Sequence, residues 1–112
     1  MGDSHVHVEA AVVDRAADRR GLMASTFGLA GDLPSVVTSG CGARVPYAMT
    51  SPRPDSVTCA ACREHARVEH LRFADTVERL ARMPGSVVDV GRAKAAADEH
   101  RDLAERFARP PG

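Results

Sequence analysis

Aromatic side chains are scarce in this 112-residue sequence, which has no tryptophan, one tyrosine and three phenylalanines. A chain of this length fits one small domain, and such a domain buries only about two thirds of its unfolded surface. Its core therefore depends on valine, leucine, methionine and alanine, which bury less area per residue than aromatic rings do. A domain with so little aromatic surface would gain from a further source of stability, such as a bound metal ion.

An excess of charge of one sign is also missing, because 15 basic residues balance 15 acidic residues. No segment forms the basic stripe of a protein whose affinity comes from phosphate contacts, so the charge pattern does not favour nucleic-acid binding. No stretch approaches transmembrane length, and no basic region followed by an apolar run marks a signal peptide. We therefore expect a cytoplasmic protein that does not act at a membrane.

The chain has only three cysteines, at Cys41, Cys59 and Cys62. An odd number argues against a closed disulfide framework, and in a reducing compartment clustered cysteines are more often metal ligands. The Cys59-Ala-Ala-Cys62 spacing lets two sulfur atoms converge on one ion, and it opens a predicted helix whose N-terminus favours thiolates. Cys41 lies on a turn flanked by two glycines. No βαβ pattern surrounds the Cys-x-x-Cys pair, which disfavours a thioredoxin-like redox role.

A structural zinc ion takes four protein ligands in a tetrahedron, so the three cysteines need one more. The candidates are His7, then His5, then His65. His5 and His7 alternate with valines on a predicted strand beside the Cys41 turn, and a ligand there would tie the N-terminus to the helix. His65 follows Cys62 by three positions and shares a helix face with it. The predicted Zn²⁺ ligands are His7, Cys41, Cys59 and Cys62.

The remaining pattern predicts an α+β fold. Residues 5–13 alternate as a strand does, although their alanines also allow a helix over 8–20, and residues 21–34 indicate an irregular connection. Two β-prone runs over 35–38 and 43–50 predict a hairpin with Cys41 at its tip. Apolar residues at helical spacing predict helices over 60–83 and 91–108, separated by Pro84-Gly85.

Together these elements predict a zinc-ribbon or treble-clef-like β-hairpin module followed by two antiparallel helices. We expect one domain with two parts. Residues 1–66 form the zinc-binding, β-rich module, and residues 67–112 form a two-helix segment packed on it.

Two strings in the sequence, Cys41-Gly-Ala-Arg-Val-Pro and Ser56-Val-Thr-Cys-Ala-Ala-Cys-Arg, resemble small zinc-binding proteins of actinobacteria and their phages. Those proteins carry a histidine on an early strand, a Cys-Gly-Arg-like turn, and Val-Thr-Cys-x-x-Cys opening a helix. The resemblance covers about residues 5–66 and implies that the zinc ligands are His7 (or His5), Cys41, Cys59 and Cys62. This chain departs from the pattern by inserting Ala43 before Arg44, and by a long stretch between the first histidines and Cys41.

The predicted function is that of a structural-zinc protein that acts as a protein–protein interaction or regulatory adaptor. A helix pair this small cannot bury all of its own apolar surface, so it is expected to bind another protein or a second copy of the chain. No enzymatic activity is expected. A catalytic zinc would need an open coordination position beside a general base, for which Glu9 and Glu64 are the nearby candidates.

The alternative function is a zinc-dependent, nucleic-acid-binding transcriptional regulator that reads its target with the helix after Cys62. Acidic residues interleave with the basic residues of that helix, which favours an ordinary solvated face. Five arginines would line the reading side: Arg63, Arg67, Arg72, Arg79 and Arg82.

Two further histidines have structural interpretations. His100 falls on the apolar stripe of the second helix, where a hydrogen-bonded histidine at the core or its boundary is expected. His70 lies two turns into the first helix, too far along to join the cysteines, and is expected to be exposed or at a boundary.

Overall fold

The computed structural model describes residues 5–13 and 35–109. Strands β1 (Val36–Thr38) and β2 (Arg44–Pro46) form an antiparallel hairpin, which is followed by a 3-10 helix (Tyr47–Met49) and by helices α1 (Ala60–Arg82) and α2 (Val90–Ala108). This is the predicted α+β arrangement, a β-hairpin followed by two helices. The likeness to a zinc ribbon or treble clef stays a prediction, and the predicted connection over 21–34 lies outside the described residues.

The hairpin is short and buries one side of each strand. Val37 and Val45 pair across it and are both buried, whereas their neighbours in each strand are exposed, as the two-residue period of a strand requires. The Ser39 N–H donates to the Ala43 carbonyl at 2.8 Å and closes the turn. Gly42 has a φ of 89°, which glycine adopts without the steric cost that a side chain would add. Cys41 therefore sits at the tip of a turn that its glycine neighbour makes possible.

The predicted N-terminal strand is shorter than the sequence pattern indicates. It was expected to end near Val13, but only isolated bridges form, from His7 to Thr50 in parallel and from Glu9 to Ser39 in antiparallel, and residues 10–13 form a turn. The physical reason is that its backbone partners lie on different segments, so no continuous ladder extends the strand. The second hairpin strand is also shorter than predicted, because the chain coils into the 3-10 helix directly after Pro46.

The two helices lie within one residue of their predicted bounds and run antiparallel. Gly85, with a φ of 78°, makes the turn between them, and the Asp89 side chain caps α2 by accepting a hydrogen bond from the Arg92 N–H at 2.8 Å. Alanines at the contact let the helices approach closely. The buried ones are Ala74, Ala81, Ala93, Ala97 and Ala104.

One apolar cluster joins the N-terminal segment to both helices. It consists of Val8, Val57, Cys62, Ala66 and Phe107, all at most 2% exposed. The proposed division after residue 66 falls inside the continuous helix α1, so the cysteine-bearing part and the helix pair share this core. None of the helices in the described ranges has the length and apolar character needed to cross a membrane.

Candidate metal centre

Four side chains from three separate parts of the chain converge on one point. His7 lies on the extended N-terminal segment, Cys41 lies on the hairpin turn, and the Cys-x-x-Cys pair opens α1. Their potential ligand atoms all lie within 4.8 Å of one another. The structure thus brings together the four residues predicted from the sequence: His7, Cys41, Cys59 and Cys62.

Backbone hydrogen bonds on both sides hold His7 in place. Its N–H donates to the Met49 carbonyl and its carbonyl accepts from the Ser51 N–H, both at 2.8 Å. One residue earlier, the Val6 carbonyl accepts from the N–H groups of Thr58 and Cys59 at 3.0 and 3.2 Å. The histidine is therefore tied directly to the start of α1, which explains how a ligand more than 50 positions away in the sequence reaches the cysteine pair.

A close approach between the hairpin turn and α1 fixes the position of Cys41. The Gly40 N–H donates to the Val8 carbonyl at 2.8 Å, and a Cβ on Gly40 would lie only 2.7 Å from Cδ2 of His65. Only glycine fits at this position without displacing the histidine ring. Ser39, which is 1% exposed, places its Oγ 3.0 Å from Cys41 Sγ.

Two distances at the site, from His7 to Cys62 and from His7 to Cys41, are close to those of a tetrahedral metal centre. Nδ1 of His7 lies 3.4 Å from Cys62 Sγ and 3.7 Å from Cys41 Sγ. Tetrahedral zinc, with bonds of about 2.0 Å to nitrogen and 2.3 Å to sulfur, separates such atoms by about 3.5 Å. The four side chains can therefore hold a metal ion, with Nδ1 as the histidine ligand atom.

Two of the three thiols at the site, those of Cys41 and Cys62, have opposite electrostatic environments. Hydrogen bonds from the Ser39 side chain and the Ala43 backbone lower the pKa of Cys41 to about 6. Burial raises the pKa of Cys62, because a thiolate without a nearby cation is disfavoured away from water. The exposed thiol is thus ready to ionise, whereas the buried one needs a cation to bind it as a thiolate.

The other candidate ligands, His5 and His65, form hydrogen bonds outside the four-residue cluster. Nδ1 of His5, which is exposed, lies 3.3 Å from the Thr58 hydroxyl, and Nε2 of His65 lies 2.8 Å from the Ala10 carbonyl. Neither belongs to the four-residue cluster. His70, which the sequence predicts to be exposed or at a boundary, is only 5% exposed, because α2 covers it and places His100 Nδ1 2.8 Å from its own Nδ1.

The alternative function places Arg63 on an exposed, nucleic-acid-reading face of the helix, but in the structure Arg63 is buried. It is 6% exposed and its guanidinium lies 5.5 Å from the centre of the Phe107 ring. The reason is that four backbone carbonyls surround it. They belong to Pro54, Val57, Arg106 and Arg109.

Two residues, Ser39 and the buried Arg63, have structural roles that the sequence does not indicate. A serine before Gly-Cys-Gly resembles any turn serine, and one arginine among the 14 in the chain carries no sign of burial.

Comparisons with protein-family models, curated proteins and solved structures give no match for this chain. The interpretation of the site therefore rests on its own geometry and donor atoms.

Proposed function

We propose that the chain is a structural-zinc protein and that His7, Cys41, Cys59 and Cys62 bind one Zn²⁺ ion. The observation that carries the proposal is the convergence of three sulfur atoms and one imidazole nitrogen within 4.8 Å of one another, with His7 Nδ1 at about the tetrahedral distance from two of the sulfurs. Thiolate and imidazole ligands suit zinc, whereas magnesium and calcium take oxygen ligands. Four protein ligands fill a tetrahedron and leave no open position for a substrate, so the ion has a structural role.

The zinc ion would join three segments that lie far apart in the sequence. The site links the N-terminal segment, the hairpin turn and α1, while the hairpin itself has only three residues in each strand. Such small elements contribute little stability by themselves. Structural zinc supplies on the order of 10 kcal/mol of apparent folding free energy, which is comparable to the whole stability of a small domain.

The biochemical role we propose for the zinc-stabilised fold is that of an adaptor that binds another protein through its helix pair. A closed metal site provides no chemistry of its own, so the binding surface must lie elsewhere on the molecule. The nucleic-acid alternative has less support from the arginines of α1. Arg67 and Arg72 pair with the carboxylates of Glu64 and Glu69, and Arg63 is buried.

Metal analysis of purified variants tests the zinc site. The unaltered chain is expected to contain one zinc per molecule by mass spectrometry. Cys41→Ser, Cys59→Ser and Cys62→Ser should each lose most of it and show reduced helicity by circular dichroism. Full zinc retention by all three cysteine variants would refute the proposal.

Two histidine variants identify the fourth ligand. His7→Ala should lose metal affinity, whereas His5→Ala, two positions away and exposed, is the matched control and should keep it. The reverse result would show that the N-terminal segment binds the metal in a different register from the one described above.

A further inference from the structure

The turn between α1 and α2 carries an unusual concentration of exposed apolar side chains. Among the described residues, six large apolar side chains are exposed, and five of them lie within eleven consecutive positions. Val87 is 99% exposed, Val90 is 61% exposed and Met83 is 54% exposed. We call this surface the helical tip, and it consists of Leu80, Met83, Val87, Val88 and Val90.

These side chains are not needed to form the turn, because backbone and polar groups build it. The Met83 N–H donates to the Leu80 carbonyl, the Ser86 N–H donates to the Met83 carbonyl, and the Val88 N–H donates to the Ser86 hydroxyl. The five side chains expose on the order of 500 Å² of apolar surface, within the range of the largest patches on monomers, which are often binding sites. The helical tip therefore has the apolar composition of an interface. The fold itself does not need these side chains to be exposed.

The charge around the helical tip is positive. Arg79, Arg82 and Arg92 are exposed there, and none of the three forms an ion pair with any residue in 5–13 or 35–109. Residues 79–92 hold these three arginines and one acid, Asp89, so their net charge is +2. Glu78 pairs with Arg101, and the Asp89 carboxylate caps α2.

We propose that the helical tip docks onto a protein partner whose apolar contact surface is edged by aspartate and glutamate side chains. This inference rests on the adaptor function proposed above and identifies the surface that performs it. The apolar side chains supply the central contact, and the arginines match the acidic edge in charge.

Other occupants fit the helical tip less well. In a symmetric contact between two copies, the same arginines would face one another across the interface. A membrane-binding tip would be expected to include tryptophan or tyrosine at the headgroup level, and residues 79–92 contain neither. A protein with carboxylates around an apolar centre satisfies both the apolar and the charged features of the tip.

Fluorescence anisotropy with two labelled synthetic peptides tests this assignment on the full chain. Both are amphipathic helices of about 18 residues with leucines along one face, and the other face carries glutamates in one peptide and lysines in the other. The zinc-loaded chain should bind the glutamate peptide at least tenfold more tightly than the lysine peptide. Val87→Asp and Arg82→Glu should each weaken glutamate-peptide binding at least tenfold.

Val36→Asp is the matched control, because Val36 is the sixth exposed apolar side chain and lies on β1, away from the helical tip. It should bind like the unaltered chain. Val87 is almost fully exposed, so its replacement should leave the zinc content and circular dichroism unchanged. Those two measurements separate a failure of the zinc site from a failure of the docking surface.

Several results would overturn the docking proposal. They are no binding of the glutamate peptide by the unaltered chain, equal binding by Val87→Asp, and equal binding of the lysine peptide. Self-association in sedimentation experiments that Val87→Asp abolishes would instead assign the tip to a second copy. Tip-dependent binding to phosphatidylserine vesicles, without peptide binding, would assign it to a membrane surface.

Discussion

Replacing Arg63 with methionine is expected to destabilise the folded chain by about 3–6 kcal/mol, because the guanidinium connects four backbone carbonyls. Two of its hydrogen bonds go to the loop before α1, at 2.5 Å to the Pro54 carbonyl and 2.7 Å to the Val57 carbonyl. The others go to the end of α2, to the carbonyls of Arg106, at 2.9 Å, and Arg109. One side chain thus joins the loop and both helices.

The magnitude follows from which carbonyls water can reach after the substitution. Pro54 and Val57 are buried, so their carbonyls would lose a charged donor and gain no solvent. A hydrogen bond to a charged group contributes about 1.5–3 kcal/mol, which gives about 3–6 kcal/mol for the two together. Arg106 and Arg109 are exposed, so their carbonyls can be hydrated and add little. Methionine keeps the apolar contact with Phe107, which limits the loss to the polar contacts.

Urea unfolding of the zinc-loaded variants measures this loss, and amide hydrogen exchange locates it. Exchange should accelerate most in the last turn of α2. Arg63→Lys keeps the charge but lacks the planar fork, so we expect about half the effect. Arg67→Met removes an exposed ion pair one turn further along α1 and should change the unfolding midpoint little. Equal midpoints for Arg63→Met and Arg67→Met would refute the reasoning.

Two further predictions concern His70 and His65, which both lie on α1. Burial, together with the nearby His100, lowers the pKa of His70 to about 4, so between pH 6.5 and 4 the unfolded chain binds more protons than the folded chain. Stability should therefore fall by up to about 3 kcal/mol as the pH drops through this window, and urea unfolding should show a smaller loss for His70→Phe. Gly40→Ala should cost about 1–3 kcal/mol, because its Cβ would collide with the His65 ring. In a double-mutant cycle, Gly40→Ala should cost less when His65 is already alanine, and additive effects would contradict this explanation.

The sequence was sufficient to predict the helices and the residues that converge at the site. Helical periodicity extends over many residues, and Pro84-Gly85 interrupts it at a definite place. The Cys-x-x-Cys pair and the glycine-flanked Cys41 are local patterns with few structural alternatives. His7 was favoured over His65 because a ligand far away in the sequence joins more of the chain, and the structure places His7 in the cluster.

The features that could not be predicted depend on contacts between distant segments. The N-terminal strand ends early because its bridging partners, Thr50 and Ser39, belong to different segments, which no alternation of valine and histidine reveals. The burial of Arg63 depends on carbonyls contributed by residues up to 46 positions away. His70 is buried because α2 crosses it at His100, and that register depends on the length of the intervening turn.

Ligands and core residues alternate along the same short segments, and this links the proposed zinc ion to the whole fold. His7 faces the site while Val8 enters the apolar cluster, and Cys62 belongs to both. Phe107 of α2 completes that cluster, although none of the four residues of the site lies on α2. An ion that fixes His7 therefore also fixes Val8 in the cluster that Phe107 completes, so zinc would stabilise α2 through the core rather than by direct contact. The helical tip lies at the end of the helix pair opposite the start of α1, where the site is. Its geometry would then also depend on the metal, through the apolar core and the packing of the two helices.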